Sequence, residues 1–426
     1  MNNFTLPFGT SSITIQLPGH IVADQYLPIE LHPTAEQTDA VITAIRNPLN
    51  GFGIPSGLGP KTKVAISIND KTRPVPNNIL FPPLLDALIK AGVIAENITI
   101  IIATGTHQPM VENEYSLLLS NDVWQRHQMC SHDCDLNNNF TYKGTTSRET
   151  PVYINTIFDQ ADLKIVVGDI EPHHFAGFSG GYKSASIGLC GRKTINANHA
   201  FLQDPKSCVG HFEDNPLRQD IEEIGQLIGV DLALNAILNE KREILHVFFG
   251  KPNEVFEAGI EVIRKTSLIQ IREPYDLVIA SAGGYPKDIN LYQAQKALTH
   301  ASLFCKDGGT VLLAAECVEG VGSQAYVDFV QGVENHTEAK EKLNSLGFRV
   351  GPHKAFQFAA IADRVHFAVK CSIPDEMMSH LLIKPIVDFN FEIQAFLNSR
   401  SSFRIAIVPF ATATIPIIDG GIFYEE

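Results

Sequence analysis

Short β-branched runs alternate with helical periodicity along this chain, and that alternation constrains the fold more than any single motif. It is the pattern of α/β domains with mainly parallel sheets. Lys63–Ile68 (KVAISI), Ile98–Ala103 (ITIIIA) and Asp162–Val167 (DLKIVV) read as buried strands. A helix is expected between the first two, starting near Pro82-Pro83, because proline is tolerated in a first turn. The chain reads as helical after Lys193, and Val230–Asn239 with Glu243–Phe249 predicts a returning pair of strands. A second unit opens near Glu273 with the strand Tyr275–Ala280, a glycine-rich loop and the helix Leu291–Phe304. Gly309–Ala315 and Arg364–Ala368 extend its sheet. At 426 residues the chain is too long for one small core. The expected division is an N-terminal domain over 1–272, a C-terminal α/β domain over 273–400 and a terminal strand segment over 401–426 that the sequence assigns to neither.

Composition matters chiefly for what it excludes. The formal charge is -14, with no polybasic run, which argues against nucleic acid or an anionic membrane as partner. No stretch of about 18 apolar residues occurs, so no membrane span is expected. The first residues lack the basic and apolar regions of a secretory signal. Seven scattered cysteines suit a reduced, cytoplasmic protein better than a disulfide scaffold.

In open α/β sheets ligands sit beyond the carboxyl ends of the strands. Asp70, Arg73, His107 and His173 all fall just past predicted strand ends, so one sheet edge is expected to carry chemical groups. Each could instead cap a helix or close a turn. Asp70-Lys71-Thr72-Arg73-Pro74 places an acid and a guanidinium three residues apart around a turn, suited to a sugar hydroxyl and an anion. In Ala103-Thr104-Gly105-Thr106-His107, small residues admit a ligand near the backbone, and the histidine can transfer a proton near neutral pH.

The segment Glu171 to His199 is the most informative. Its Gly-Phe-Ser-Gly-Gly-Tyr-Lys-Ser run invites a phosphate-loop reading, but Tyr182 separates Gly181 from Lys183 and breaks the required spacing. A nucleotide- or phosphate-binding protein, or a P-loop-like kinase using Ser179–Ser184, stays open as the alternative. Lys183 could equally serve as a nucleophile or covalent anchor. His127, Cys130, His132 and Cys134 resemble a zinc cluster, yet the spacing matches no common site and they read as structural. Gly51-Phe-Gly53 precedes a strand and misses the dinucleotide-binding spacing. In the second unit, Gln293 and Lys296 share a helix face that suits a carboxylate and a hydroxyl.

Taken in order, D-x-T-R-P-V-P, A-T-G-T-H, E-P-H-x-F-A-G-F-S-G-G-x-K, N-H and G-G-Y-P-K-D-x-N-x-Y-Q-A-x-K resemble the nickel-pincer lactate racemase family from about residue 60 to 300. The resemblance implies two α/β domains, the first binding the cofactor, with an interdomain active-site cleft and hinge motion. It also implies a nickel-bearing pyridinium mononucleotide and a racemase or epimerase acting on a 2-hydroxy acid, lactate or a relative such as malate, by reversible hydride transfer. Carried over by position, Lys183 would tether the cofactor, His199 would ligate nickel, and Asp70, Lys71, Thr72 and Arg73 would hold the cofactor. His107 and His173 would be the acid/base pair. Arg73, Tyr292, Gln293, Lys296 and Lys354 would face the substrate. Lys354 stands where lactate-specific members carry a tryptophan, and a cation there would favour a second carboxylate or a polyhydroxy chain. Cofactor-maturation proteins are the implied partners.

Overall fold

The computed structural model describes residues 2–29, 32–136, 139–239, 241–266, 268–346 and 351–418. The chain divides into two compact units, residues 30–266 and residues 1–29 together with 267–426. Both are α/β with mainly parallel sheets, as the alternation of elements predicts.

In the unit of residues 30–266, a six-stranded sheet runs Ile244–Gly250, Leu232–Leu238, Leu163–Asp169, Val64–Asn69, Ile98–Ala103, Gln128–Ser131. Every neighbouring pair is parallel except the first, which is antiparallel. The strands Val64–Asn69 and Ile98–Ala103 are apolar almost throughout because helices cover both faces of such sheets. Val64–Asn69 is entered first, and the chain builds outward to Ile98–Ala103 and Gln128–Ser131 before returning to Leu163–Asp169 on the other side. The strand order therefore reverses between Val64–Asn69 and Leu163–Asp169, the place where α/β sheets open a crevice at their carboxyl ends.

The helix Asn77–Lys90 buries Leu80, Phe81, Leu84 and Leu88 against this sheet. It begins at Asn77, five residues before Pro82, so the two prolines lie inside it instead of opening it. Each forfeits one backbone hydrogen bond, but the buried leucines on either side hold the helix together across that loss. The helix Pro216–Ile228 is capped by Asn215, whose side chain accepts from the Arg218 N–H, and stops at Gly229 in the left-handed conformation, φ 74°.

The other unit is built on a second six-stranded sheet, ordered Lys384–Pro385, His366–Lys370, Cys305–Ala314, Tyr275–Ser281, Ile405–Val408, Ala23–Gln25, parallel throughout. The N-terminal segment belongs here and not with residues 30–266, which corrects the contiguous 1–272 division. Its hairpin, Asn2–Phe8 with Ser11–Leu17, buries Leu6, Ile15 and Leu17, and the Gly9 N–H donates to Asp288 Oδ2 at 2.7 Å. Ala23–Gln25 then adds an edge strand beside Ile405–Val408. The same pairing places the C-terminal strand in this unit. None of the seven cysteines, all among the described residues, is in a disulfide. No described helix is long and apolar enough to cross a membrane.

Candidate active site

Parallel strands deliver their carboxyl ends to one edge, and the unit of residues 30–266 gathers a polar pocket there. Arg73, His107, Asp169, His173, Lys183 and His199 are among the residues that line it. Three strand ends thus converge, as expected.

Asp70 follows Val64–Asn69 and is buried. Its Oδ1 accepts from the Thr72 N–H at 2.9 Å and hydroxyl at 2.6 Å, and its Oδ2 lies 2.6 Å from His107 Nδ1. Burial alone would raise the Asp70 pKa, but the bonds from His107 and Thr72 outweigh it and hold the carboxyl below its ordinary value. Asp70 and Thr72 are thus joined to each other and to His107, while Arg73 reaches the pocket wall. Lys71 is turned onto Glu114 in an ion pair, and neither Lys71 nor Thr72 lines the pocket.

The loop after Leu163–Asp169 is held by polar groups the sequence did not single out. Ser179 Oγ accepts from the Glu171 N–H at 2.9 Å and donates to the Asp169 carbonyl at 3.1 Å. Arg218, fully buried on Pro216–Ile228, donates to the carbonyls of Phe178 at 3.0 Å and Gly180 at 3.2 Å. It also pairs with Glu222 and lies 3.5 Å from the Phe256 ring centroid. Gly180 sits at φ 82°, and a Cβ there would come 2.5 Å from Ile170 Cγ1, so this close turn needs glycine.

This loop is not a phosphate cradle. The N–H groups of Phe178, Ser179, Gly181 and Lys183 already donate to Ala176 O, Glu171 O, Asn235 Oδ1 and Gly180 O. A phosphate loop needs such groups free and followed by a substantial helix. Here Lys183–Ser186 is a helix of four residues.

Lys183 is buried in the pocket wall. Burial, reinforced by the charges of Arg73 and Arg218, drives its amine far below the ordinary lysine value, with Glu171 and Asp169 opposing. A neutral amine near pH 7 is a nucleophile. Asp169, the last residue of its strand, accepts from Asn69 Nδ2 at 3.1 Å and faces Arg242 at 3.4 Å. Its pKa is pushed upward by burial and by Glu171.

His199 stands near the end of the helix Arg192–Ala200. Burial, then Lys183 and Arg73, lower its pKa to about 3, so the ring is neutral at pH 7. The neighbouring Asn198 is fully buried and donates through Nδ2 to Leu217 O at 3.0 Å and Asp220 Oδ2 at 2.9 Å. Its Oδ1 is therefore the atom 3.2 Å from His199 Nδ1, and that ring nitrogen must donate. In the neutral ring Nε2 then carries the lone pair, the state a metal-ligating imidazole requires. A buried lysine whose pKa is lowered and an imidazole whose proton sits on Nδ1, both lining one pocket, fit a covalently held nickel group.

The remaining expected residues lie in the other unit. Tyr292, Gln293 and Lys296 occupy the start of Leu291–Phe304, where the Asn290 side chain accepts from the Gln293 N–H at 3.0 Å. Lys354, on His353–Ala362, is 1% exposed. Its Nζ donates to Gln295 Oε1 at 2.8 Å and lies 4.2 Å from the Tyr292 ring centroid. Burial, then Lys296, push its pKa well below the ordinary value. Lys354 is thus a buried amine already engaged by a partner, where the sequence position suggested a cation facing the substrate. Its partner is Gln295, the residue before Lys296 on the same helix.

The zinc-like cluster is structural, as read. His132 engages both ring nitrogens, with Cys190 O at 3.0 Å and Asn155 Nδ2 at 3.3 Å. Burial lifts the Cys134 thiol to about 11.

Fold and pocket together define an α/β protein with a polar pocket at the carboxyl ends of its parallel strands. The lactate racemase N-terminal domain model matches residues 8–210 and the lactate racemase C-terminal domain model residues 271–371. A lactate racemase of Thermoanaerobacterium thermosaccharolyticum is 31% identical over 353 residues, 82% of each chain. One of Lactiplantibacillus plantarum is 27% identical over 414 residues, covering 95% of this chain and 97% of that one. The solved lactate racemase apoprotein from T. thermosaccharolyticum superposes with a TM-score of 0.85 over 98% of this chain and 100% of its own. The chain belongs to the lactate racemase family.

Proposed function

We propose that this protein is a cytoplasmic racemase interconverting the D and L forms of a 2-hydroxy acid, with lactate the first substrate to test and malate the second. The observation that carries the reading is the pairing, in one pocket of a lactate racemase family member, of a buried lysine whose amine is held well below its ordinary pKa with histidines at separate strand ends. Lys183 would hold the nickel-bearing pyridinium mononucleotide covalently, and His199 would ligate the metal through Nε2. Bound there, the group would supply hydride-acceptor chemistry at C2.

The chain's own residues account for the rest of the chemistry. Racemisation breaks and remakes C2–H while the hydroxyl proton leaves and returns, by way of a planar 2-keto acid. An imidazole at His107 or His173 can hold that proton at near-neutral pH. Arg73 would neutralise the carboxylate, with a fork that can bind it bidentately. Tyr292, Gln293 and Lys296 are further candidates for substrate contact, with Lys354 supporting Tyr292 from beneath. The Lys354 amine already donates to Gln295, which favours lactate over a dicarboxylate. Cofactor-maturation proteins would be required partners.

The test is chiral chromatography after incubating protein co-expressed with those maturation proteins and nickel. Inversion of lactate that disappears in Lys183→Ala supports the proposal. A protein that carries nickel and an intact Lys183 adduct yet inverts none of lactate, malate, phenyllactate and gluconate refutes it.

A further inference from the structure

Two of the pocket histidines, His107 and His173, are held by opposite kinds of partner. His107 Nδ1 lies 2.6 Å from Asp70 Oδ2. The other oxygen of that carboxylate already receives two donors from Thr72. An ionised carboxylate only accepts, so His107 Nδ1 must carry a proton, and in the neutral ring Nε2 is bare. His173 is the reverse. The backbone N–H of Ala176 donates to His173 Nδ1 at 3.2 Å. A backbone N–H cannot turn round to accept, so His173 Nδ1 keeps its lone pair and the ring proton sits on Nε2.

We infer that the resting protein is asymmetric, with His107 held as a proton acceptor and His173 as a hydrogen-bond donor, and that Asp70 is the positioning residue that sets the first of these states. The catalytic consequence rests on the racemase reading; the ring states do not. A substrate whose hydroxyl meets His107 loses its O–H proton to Nε2, and the imidazolium that forms is balanced by the Asp70 carboxylate. A hydroxyl that meets His173 finds no acceptor until that ring loses its Nε2 proton to solvent, gains one at Nδ1 and releases Ala176. His173 at rest instead offers its N–H to an oxygen of the substrate. Asp70 therefore belongs with the proton-transfer machinery, and its link to the cofactor segment runs through Thr72 and the turn to Arg73, where the Arg73 N–H donates to Asp70 O at 3.1 Å.

Nitrogen NMR of the apoprotein, at a pH above the ordinary histidine range, reads both rings directly. Assignment comes from the His107→Ala and His173→Ala variants. His107 is expected to show its proton on Nδ1 and His173 on Nε2. In Asp70→Asn the carboxamide can donate to Nδ1, and the His107 proton is expected to move to Nε2. In loaded enzyme the same variant is expected to lose about 10²–10⁴-fold in kcat/KM. The loss must be equal in both directions, because the equilibrium constant between enantiomers is one. Identical ring states for the two histidines in wild-type protein would overturn the inference, and that outcome does not depend on any variant folding. An unmoved His107 proton in a folded Asp70→Asn would overturn the role given to Asp70. A loaded protein that inverts no 2-hydroxy acid would instead sink the racemase reading and leave the ring states standing.

Discussion

Asn198 donates both amide protons elsewhere, so its carbonyl oxygen is what fixes the ring proton of His199 on Nδ1. The support runs deeper, since Asp220 also accepts from Thr146 at 2.6 Å and Thr150 at 3.0 Å. A metal ligand is only as well aimed as the groups behind it. Asn198→Ala is expected to weaken nickel retention by about 10–100-fold while the mass adduct on Lys183 persists. Nickel measured by plasma mass spectrometry beside intact mass checks both halves; unchanged retention would contradict the orienting role.

Arg218 ties the lysine-bearing loop to the helix Pro216–Ile228 through two carbonyls, with Glu222 as its counter-charge. Removing one member of a buried pair strands the other. Arg218→Met is expected to cost about 3–5 kcal/mol in urea unfolding. The double variant Arg218→Met/Glu222→Leu should recover part of that loss. A double variant as unstable as the sum of the singles would show the pair to be uncoupled.

Asp70 makes a pH prediction with a definite sign. Its folded-state pKa lies below the ordinary 3.8 because bonds from His107 and Thr72 outweigh burial. The unfolded chain therefore takes up this proton at higher pH than the folded one. The associated stability is present above the unfolded value and is lost as pH falls through the folded value. Asp70→Asn should make the acid limb of stability against pH shallower. Urea midpoints across the acid range read this directly, and an unchanged limb would contradict it.

Residues just past strand ends were legible in the sequence because parallel strands leave little freedom in where their carboxyl ends point. Asp70, His107 and His173 could be nominated before any coordinates. Asn198, Arg218 and Asn235 could not, because each matters through a partner distant in sequence, and a buried polar side chain carries no periodic signal. The domain boundary was missed for the same reason. Ala23–Gln25 pairs with Ile405–Val408 across most of the chain, and non-local pairing leaves no local trace. Lys354 could be set beside the substrate from its sequence position, but its burial and its Gln295 partner leave no local trace.

The central claim is that Lys183 and its pocket make this family member a racemase, and chiral analysis of lactate tests it most directly. Nickel-loaded protein given pure D-lactate should drive it toward equal amounts of both enantiomers, and Lys183→Ala should leave it unchanged. D-lactate, and then malate, phenyllactate and gluconate, remaining optically pure in the presence of protein with its Lys183 adduct and nickel intact would contradict the account.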